Sequence, residues 1–179
     1  VIPMEPDQIA RMVAAQIGSL QAMAALAGTR VHYVKPHGAL GNLAADRRDV
    51  ADAIVAAVHA ISPALAILAI SGTELELSAR RAAVLVYSEI FADRTYLASG
   101  RLTPRSRPDA MIHDAQTATD RLLGFLDTGL MPIVDGNPIP LAAQSVCVHG
   151  DSPGAVTMAR LIRQNLSAAG VILAPFICG

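Results

Sequence analysis

Tryptophan is missing from this chain of 179 residues, and three Tyr and three Phe are its only aromatic side chains. A core must then be assembled from Ala, Leu, Ile and Val, which suit helices packed closely on strands and favour an α/β architecture. Cysteine is nearly absent too. Cys147 and Cys178 make neither a disulfide framework nor a four-ligand zinc site, and both lie in apolar stretches, the setting of inert thiols in a reducing compartment. Charge is scarce and balanced, with 14 Lys and Arg against 15 Asp and Glu and a net charge of −1. Without a cationic excess there is no electrostatic reason to expect nucleic acid or an anionic membrane as a partner; a small-molecule substrate fits better. The longest uninterrupted apolar run is 64–70, well short of the roughly 20 residues that span a bilayer. With no signal-peptide pattern either, a cytoplasmic location is expected. The opening, Val1 followed closely by Pro3, Glu5 and Pro6, reads as if cut from a longer polypeptide.

What is present is apolar: 53% of the residues are hydrophobic, enough for one core and a single domain over 1–179. Ile9, Val13, Ile17, Leu20 and Ala24 recur at intervals of three and four between Pro6 and Gly28, which predicts an amphipathic helix over 6–27. Residues 31–35 read as a strand that ends in a loop at Pro36-His37-Gly38, and a helix over 49–60 follows. The alternation continues with a strand at 65–70, a helix at 74–82 and a strand at 84–88. It breaks over 91–110, a stretch with Gly100, Pro104, Pro108 and four arginines; a loop this long in a compact domain is usually functional. A helix from about Asp114 buries Ala118, Leu122, Phe125 and Leu126 and stops at Gly129. Residues 131–141 carry Asp135-Gly136-Asn137, the mark of a small hairpin. A strand at 145–148 then leads to a helix over 153–169, with Ser152 as its cap and Pro153 in its first position. Strands alternating with helices imply parallel βαβ units, in an open sheet or a barrel.

Polar residues collect where predicted strands end. Lys35 and His37 follow one strand, Glu89 and Asp93 another, His149 and Asp151 a third, and in parallel α/β folds those ends converge on one crevice. Each pair also has a plain structural reading. Lys35 suits an anionic oxygen and His37 a proton transfer near neutral pH, or else they form a solvated turn with the imidazole capping a backbone group. Asn42 offers an amide to a substrate carbonyl, or a turn. Glu89 and Asp93 are candidates for base or metal ligand, against a structural ion pair with Arg94. The run from His149 to Gly154 hands a strand to a helix, so its backbone N–H groups suit an anion; Gly150 admits close approach, and Asp151 is placed to orient His149 or take a metal. Arg94, Arg101, Arg105 and Arg107 suit phosphate or carboxylate, or plain solvation. His113 precedes Asp114, whose default role is a helix cap. There is neither a P-loop nor a G-x-G-x-x-G run.

Three segments, Val34-Lys35-Pro36-His37-Gly38-Ala39-Leu40, Glu89-Ile90-Phe91-Ala92-Asp93-Arg94 and Val148-His149-Gly150-Asp151-Ser152-Pro153-Gly154, together resemble the LamB/YcsF family. So do Tyr96-Leu97, Arg101-Leu102, Pro104-Arg105-Ser106 and Ile112-His113-Asp114, which extends the likeness over nearly the whole chain. The resemblance implies a distorted β/α barrel of the glycoside hydrolase and deacetylase type. It also implies an ATP-dependent opening of 5-oxoproline to glutamate, exerted with 5-oxoprolinase subunits B and C. On that basis Lys35 and the loop arginines Arg94 and Arg105 neutralise phosphate and substrate carboxylate, with Asn42, His113 and Gly150 lining the substrate. His37 or His149 relays protons, and Glu89 or Asp93 activates water or holds a divalent cation. Two departures stand out: Gly41 occupies the place of the family's usual Tyr, and the family's opening D-L-N-x-D stretch and later H-A-G-D motif do not occur. The expectation is a C-terminal portion of the barrel with an exposed sheet edge, self-associating as a homo-oligomer or poorly stable, and inactive alone. The competing expectations are a metal-dependent amidase or deacetylase on the same fold, with His37, His149 and Asp151 as ligands, and a non-catalytic scaffold for the other subunits.

Overall fold

The computed structural model describes residues 2–150 and 154–177. Its contacts fall into two compact units, one formed by the chain up to Ser88 with Ile177, the other by Glu89–Phe176. Both are α/β, with parallel strands and covering helices.

In the first unit, α1 (Pro6–Leu26) starts with Pro6 in its first turn and with Gln8 Oε1 accepting the Glu5 N–H at 2.9 Å. Its buried stripe is Ile9, Val13 and Ile17, and it packs on α3 (Arg48–Ile61). By length and composition α1 is apolar enough to cross a membrane, which a search for unbroken apolar runs overlooks. Ala-rich turns raise its average while Arg11, Gln16 and Ser19 interrupt it; Ile9, Val13 and Ile17 enter the core, whereas Leu20, Met23 and Leu26 are exposed. Strand β1 (Tyr33–Val34) pairs in parallel with β2 (Ala66–Ile70), and Ile67 N–H continues the ladder to the Leu85 carbonyl at 2.8 Å. Val50, Ile54 and Val58 of α3 close over Ile67 and, from α4 (Glu74–Arg81), Leu75 and Ala79. Burying each such branched side chain contributes about 1.5–3 kcal/mol.

One helix was not expected. The residues after Pro36 form α2 (Gly38–Asp46), not a loop. Gly38 opens it at φ +58, a conformation that costs L-residues strain. Gly41 permits its close return onto the preceding turn, since a Cβ at 41 would lie 2.9 Å from the Pro36 carbonyl oxygen.

Strand β3 (Val86–Phe91) also differs from expectation, running three residues beyond 88. The sequence reading ended it at the first acidic residue, but Glu89 is accommodated inside the strand, buried beside Ser145. A second buried carboxylate, Glu76, organises the start of α4. It accepts from Gly72 N–H at 2.6 Å, Ser88 Oγ at 2.6 Å and Arg80 Nη2 at 2.7 Å.

In the second unit, the 91–110 stretch folds back on itself through bridges Arg94–Met111 and Tyr96–Leu102. Helix α5 (Ala115–Thr128) follows the Asp114 cap, whose Oδ2 accepts the Thr117 N–H at 2.7 Å, and stops at Gly129 with φ +70. Strands β4 (Leu130–Met131) and β5 (Ile139–Pro140) form the expected hairpin. Strand β6 (Ser145–Cys147) pairs in parallel with the end of β3, and α6 (Ala155–Ala168) packs on α5. Helix α6 begins later than expected, after Gly154 in the left-handed region at φ +79; the predicted cap Ser152 and first residue Pro153 lie outside the described residues. Ile90, Tyr96, Leu122, Phe125, Met131 and Ile162 fill this unit's core.

Burial alone would raise the Glu76 carboxyl, but donation from Ser88, Arg80 and Gly72 outweighs it and holds the group below the usual glutamate range. A depressed folded-state value stabilises above the unfolded value of about 4.3 and loses that contribution as pH falls through the folded one. Glu76→Gln should therefore cost about 1–3 kcal/mol at neutral pH, and the gap to the parent protein should close in acid; urea midpoints at the two pH values check both. For glycine, Gly124→Ala, with nothing within 4 Å of the new Cβ, should gain about 0.5–1 kcal/mol in mid-helix. Gly41→Ala should lose stability instead, and equal shifts of the two melting temperatures would contradict the close approach to Pro36.

Candidate active site

The second unit builds its site from strand register. Glu89 lies opposite Ser145, Ile90 opposite Val146 and Phe91 opposite Cys147. Ala92 N–H prolongs the ladder by donating to the Cys147 carbonyl at 2.9 Å. The same offset, carried two residues past the strand ends, sets Asp93 opposite His149. There the Asp93 carboxylate, 2% exposed, accepts the His149 backbone N–H at 2.9 Å and approaches its ring Nδ1 at 3.0 Å with both oxygens. The face of that imidazole stacks on Phe91, centroids 5.2 Å apart and planes 21° from parallel.

The chemistry follows from the donor inventory. A carboxylate only accepts, so Nδ1 carries a proton, and in the neutral ring it is Nε2 that has the lone pair. Ring orientation is fixed at one edge by Asp93 and on one face by Phe91. His149 retains partial exposure, with 22% of its side chain accessible, and the nitrogen not spent on the carboxylate is the one such a pair offers for proton transfer. The carboxylate holding His149 among the described residues is thus Asp93; Asp151, the neighbour expected to orient it, lies outside them.

Other expected residues have varied placements. Glu89 is 3% exposed and receives Ser145 Oγ at 3.4 Å. Arg94 is buried, donating from Nη2 to the Thr103 carbonyl at 2.6 Å and from Nε to the Ala110 carbonyl at 3.2 Å, so it braces the long loop. Arg105 and His113 are exposed, and Gly150 has nothing within 4 Å of where a Cβ would stand. Arg107 binds Asp109 at 2.9 and 2.6 Å.

In the first unit, Lys35 and His37 share the rim of a cavity of about 470 Å³. Met12, Val13, Ile17 and Leu20 give it an apolar wall, and Gln16 and Tyr33 add polar groups. His37 holds the N-cap position of α2, yet its side chain makes no capping bond. Lys35 precedes the first turn of this helix, which has no acidic residue. Asn42 lies exposed on α2. Among the described residues no three His, Cys, Asp or Glu side chains come together as a cation-holding set, and Asp93 is committed to His149.

Sequence reasoning passed over Arg121. Its guanidinium Nη1 donates to the carbonyls of Phe91 and Ala92, both at 3.2 Å, and lies over the Tyr96 ring at 5.3 Å. A signal was available: position 121 is three after Ala118 and four before Phe125, on the buried stripe of α5, where a charge needs a reason.

Comparison with known proteins places these features in a lineage. The model of the LamB/YcsF family matches residues 1–177. A protein of Azorhizobium caulinodans, named as the A subunit of 5-oxoprolinase, is 45% identical over 175 residues, covering 98% of this chain and 69% of its own length. One of Nocardia farcinica with the same name is 47% identical over 176 residues, covering 98% and 70%. The crystal structure of a lactam utilization protein from Thermus thermophilus superposes with a TM-score of 0.87 at 38% identity, over 95% of this chain and 68% of that one. This agrees with the α/β fold and is consistent with a distorted barrel. The chain spans about 70% of the length of these relatives and belongs to the LamB/YcsF family.

Proposed function

We propose that this chain works as part of the A subunit of an ATP-dependent 5-oxoprolinase, opening the lactam of 5-oxoproline to glutamate together with subunits B and C. The observation that carries the reading is the Asp93–His149 pair, a held imidazole whose Nε2 is left for a proton transfer. Names borne by the relatives point the same way.

An unstrained five-membered lactam is resonance-stabilised and a poor electrophile, which gives ATP a purpose. Transfer of the γ-phosphoryl group to the lactam oxygen releases ADP and makes the ring carbon electron-poor. Water adds there as His149 Nε2 takes its proton, and the C–N bond breaks with that proton passed to the departing amine, leaving an acyl phosphate. A second water releases phosphate and glutamate. His149 thus serves as base and then as acid, with Asp93 stabilising the imidazolium between the two steps. No step is assigned to a metal ion; the metal-dependent amidase reading differs in needing no ATP, and one of its ligands, Asp151, lies outside the described residues.

The test is 5-oxoproline-dependent ADP release by the chain alone, with subunits B and C, and with the family's N-terminal segment restored. Where release is found, His149→Ala should lower kcat by about 10²–10⁴, with Asp93→Asn close behind it. Turnover unchanged by both substitutions would leave the chain a scaffold; amide hydrolysis that needs no ATP would replace the proposed reaction.

A further inference from the structure

We propose that Arg121 is a positioning residue for the Asp93–His149 pair, locking the backbone of Phe91 and Ala92 from which both restraints on the imidazole issue. This rests on the functional reading above only in giving the pair a reaction to perform.

The geometry is specific. His149 is held at its edge by Asp93 and on its face by Phe91, and these residues flank Ala92. The Phe91 N–H donates to the Tyr96 hydroxyl at 2.9 Å, and the Ala92 N–H donates to the Cys147 carbonyl at 2.9 Å. The carbonyls of Phe91 and Ala92 are both taken by one nitrogen of Arg121. Arg121 is fixed in turn by Tyr96, over whose ring it lies at 5.3 Å. Two side chains therefore brace the short stretch that aims Asp93 and Phe91 at the histidine.

A purely structural account of Arg121 meets an energetic objection. Satisfying carbonyls at a strand end takes only a neutral donor or water, whereas a guanidinium brought out of water carries a desolvation cost of several kcal/mol. Here its Nη2 is buried without a hydrogen-bond partner among the described residues, which adds to that cost. Burial accordingly pulls the Arg121 guanidinium below its ordinary value, with Tyr96 and Asp93 partly restoring it. What Arg121 supplies is one nitrogen shared by two successive carbonyls, which fixes their relative orientation. It thus acts on the pair through backbone geometry, without touching the imidazole.

The experiment reads the tautomer of His149 from its ring nitrogen resonances in the 179-residue chain at a pH where the imidazole is neutral, with His149→Gln to assign the signals. The parent protein should show the Nδ1–H form. Arg121→Met should lose that signal in favour of a tautomer mixture, and Arg121→Lys, which keeps charge and a donor, should largely retain it. A folded Arg121→Met protein with the parent spectrum overturns the proposal. If Arg121→Met does not fold, the milder Arg121→Gln decides: it shortens the reach to the two carbonyls, and an unchanged spectrum there overturns the proposal equally. Since the spectra need no turnover, tautomer loss without lactamase activity in any assembly would remove only the functional reading. Activity that depends on His149 but ignores Arg121→Met, with an unaltered spectrum, would remove only this inference.

Discussion

Both oxygens of the Asp93 carboxylate are given to one residue, His149, through its backbone N–H and its ring. That shared carboxylate is the constraint on which the rest of the site depends. It ties the loop after β6 to the end of β3, so the parallel register of two strands continues as side-chain chemistry. It also decides which imidazole nitrogen is free. Phe91 limits rotation of the same ring, and the long 91–110 stretch, braced by Arg94 on the Thr103 and Ala110 carbonyls, covers the core behind it.

Two buried carboxylates near β3 illustrate how partners rather than burial set a role. Glu76 is surrounded by donors from Gly72, Ser88 and Arg80 and has no histidine to pass a proton to; it is a fastener of the α4 N-terminus. Asp93, equally buried, faces a ring that retains access to solvent, and its hydrogen bonds set that ring's proton rather than only a helix start. The cost of burying either group is recovered in hydrogen bonds.

Much of this was legible in the residues. Spacing and the alternation with strands located α1, α3, α4 and α5 within two residues at each end, and Asp114 and Gly129 marked the limits of α5 correctly. The family likeness was carried by short segments around Lys35, Glu89 and His149. What could not be read was register: nothing in the order of residues says that Asp93 rather than Asp151 meets His149, because that follows from a 56-residue offset fixed by strand pairing. Helix α2 escaped because Pro36 and Gly38 read as loop signals, whereas Gly38 uses its left-handed freedom to open a helix. Arg121 escaped because a lone arginine in an amphipathic helix reads as surface, and only its place on the apolar stripe argued otherwise.

The central claim is that His149 presents a reactive Nε2 held in place by Asp93, and carbethoxylation mapped by mass spectrometry measures it directly. In an assembly that turns over 5-oxoproline, modification of His149 should track loss of activity, and 5-oxoproline with ATP should slow it. Full activity with His149 modified, or a His149 that never reacts while the enzyme remains competent, would contradict the account.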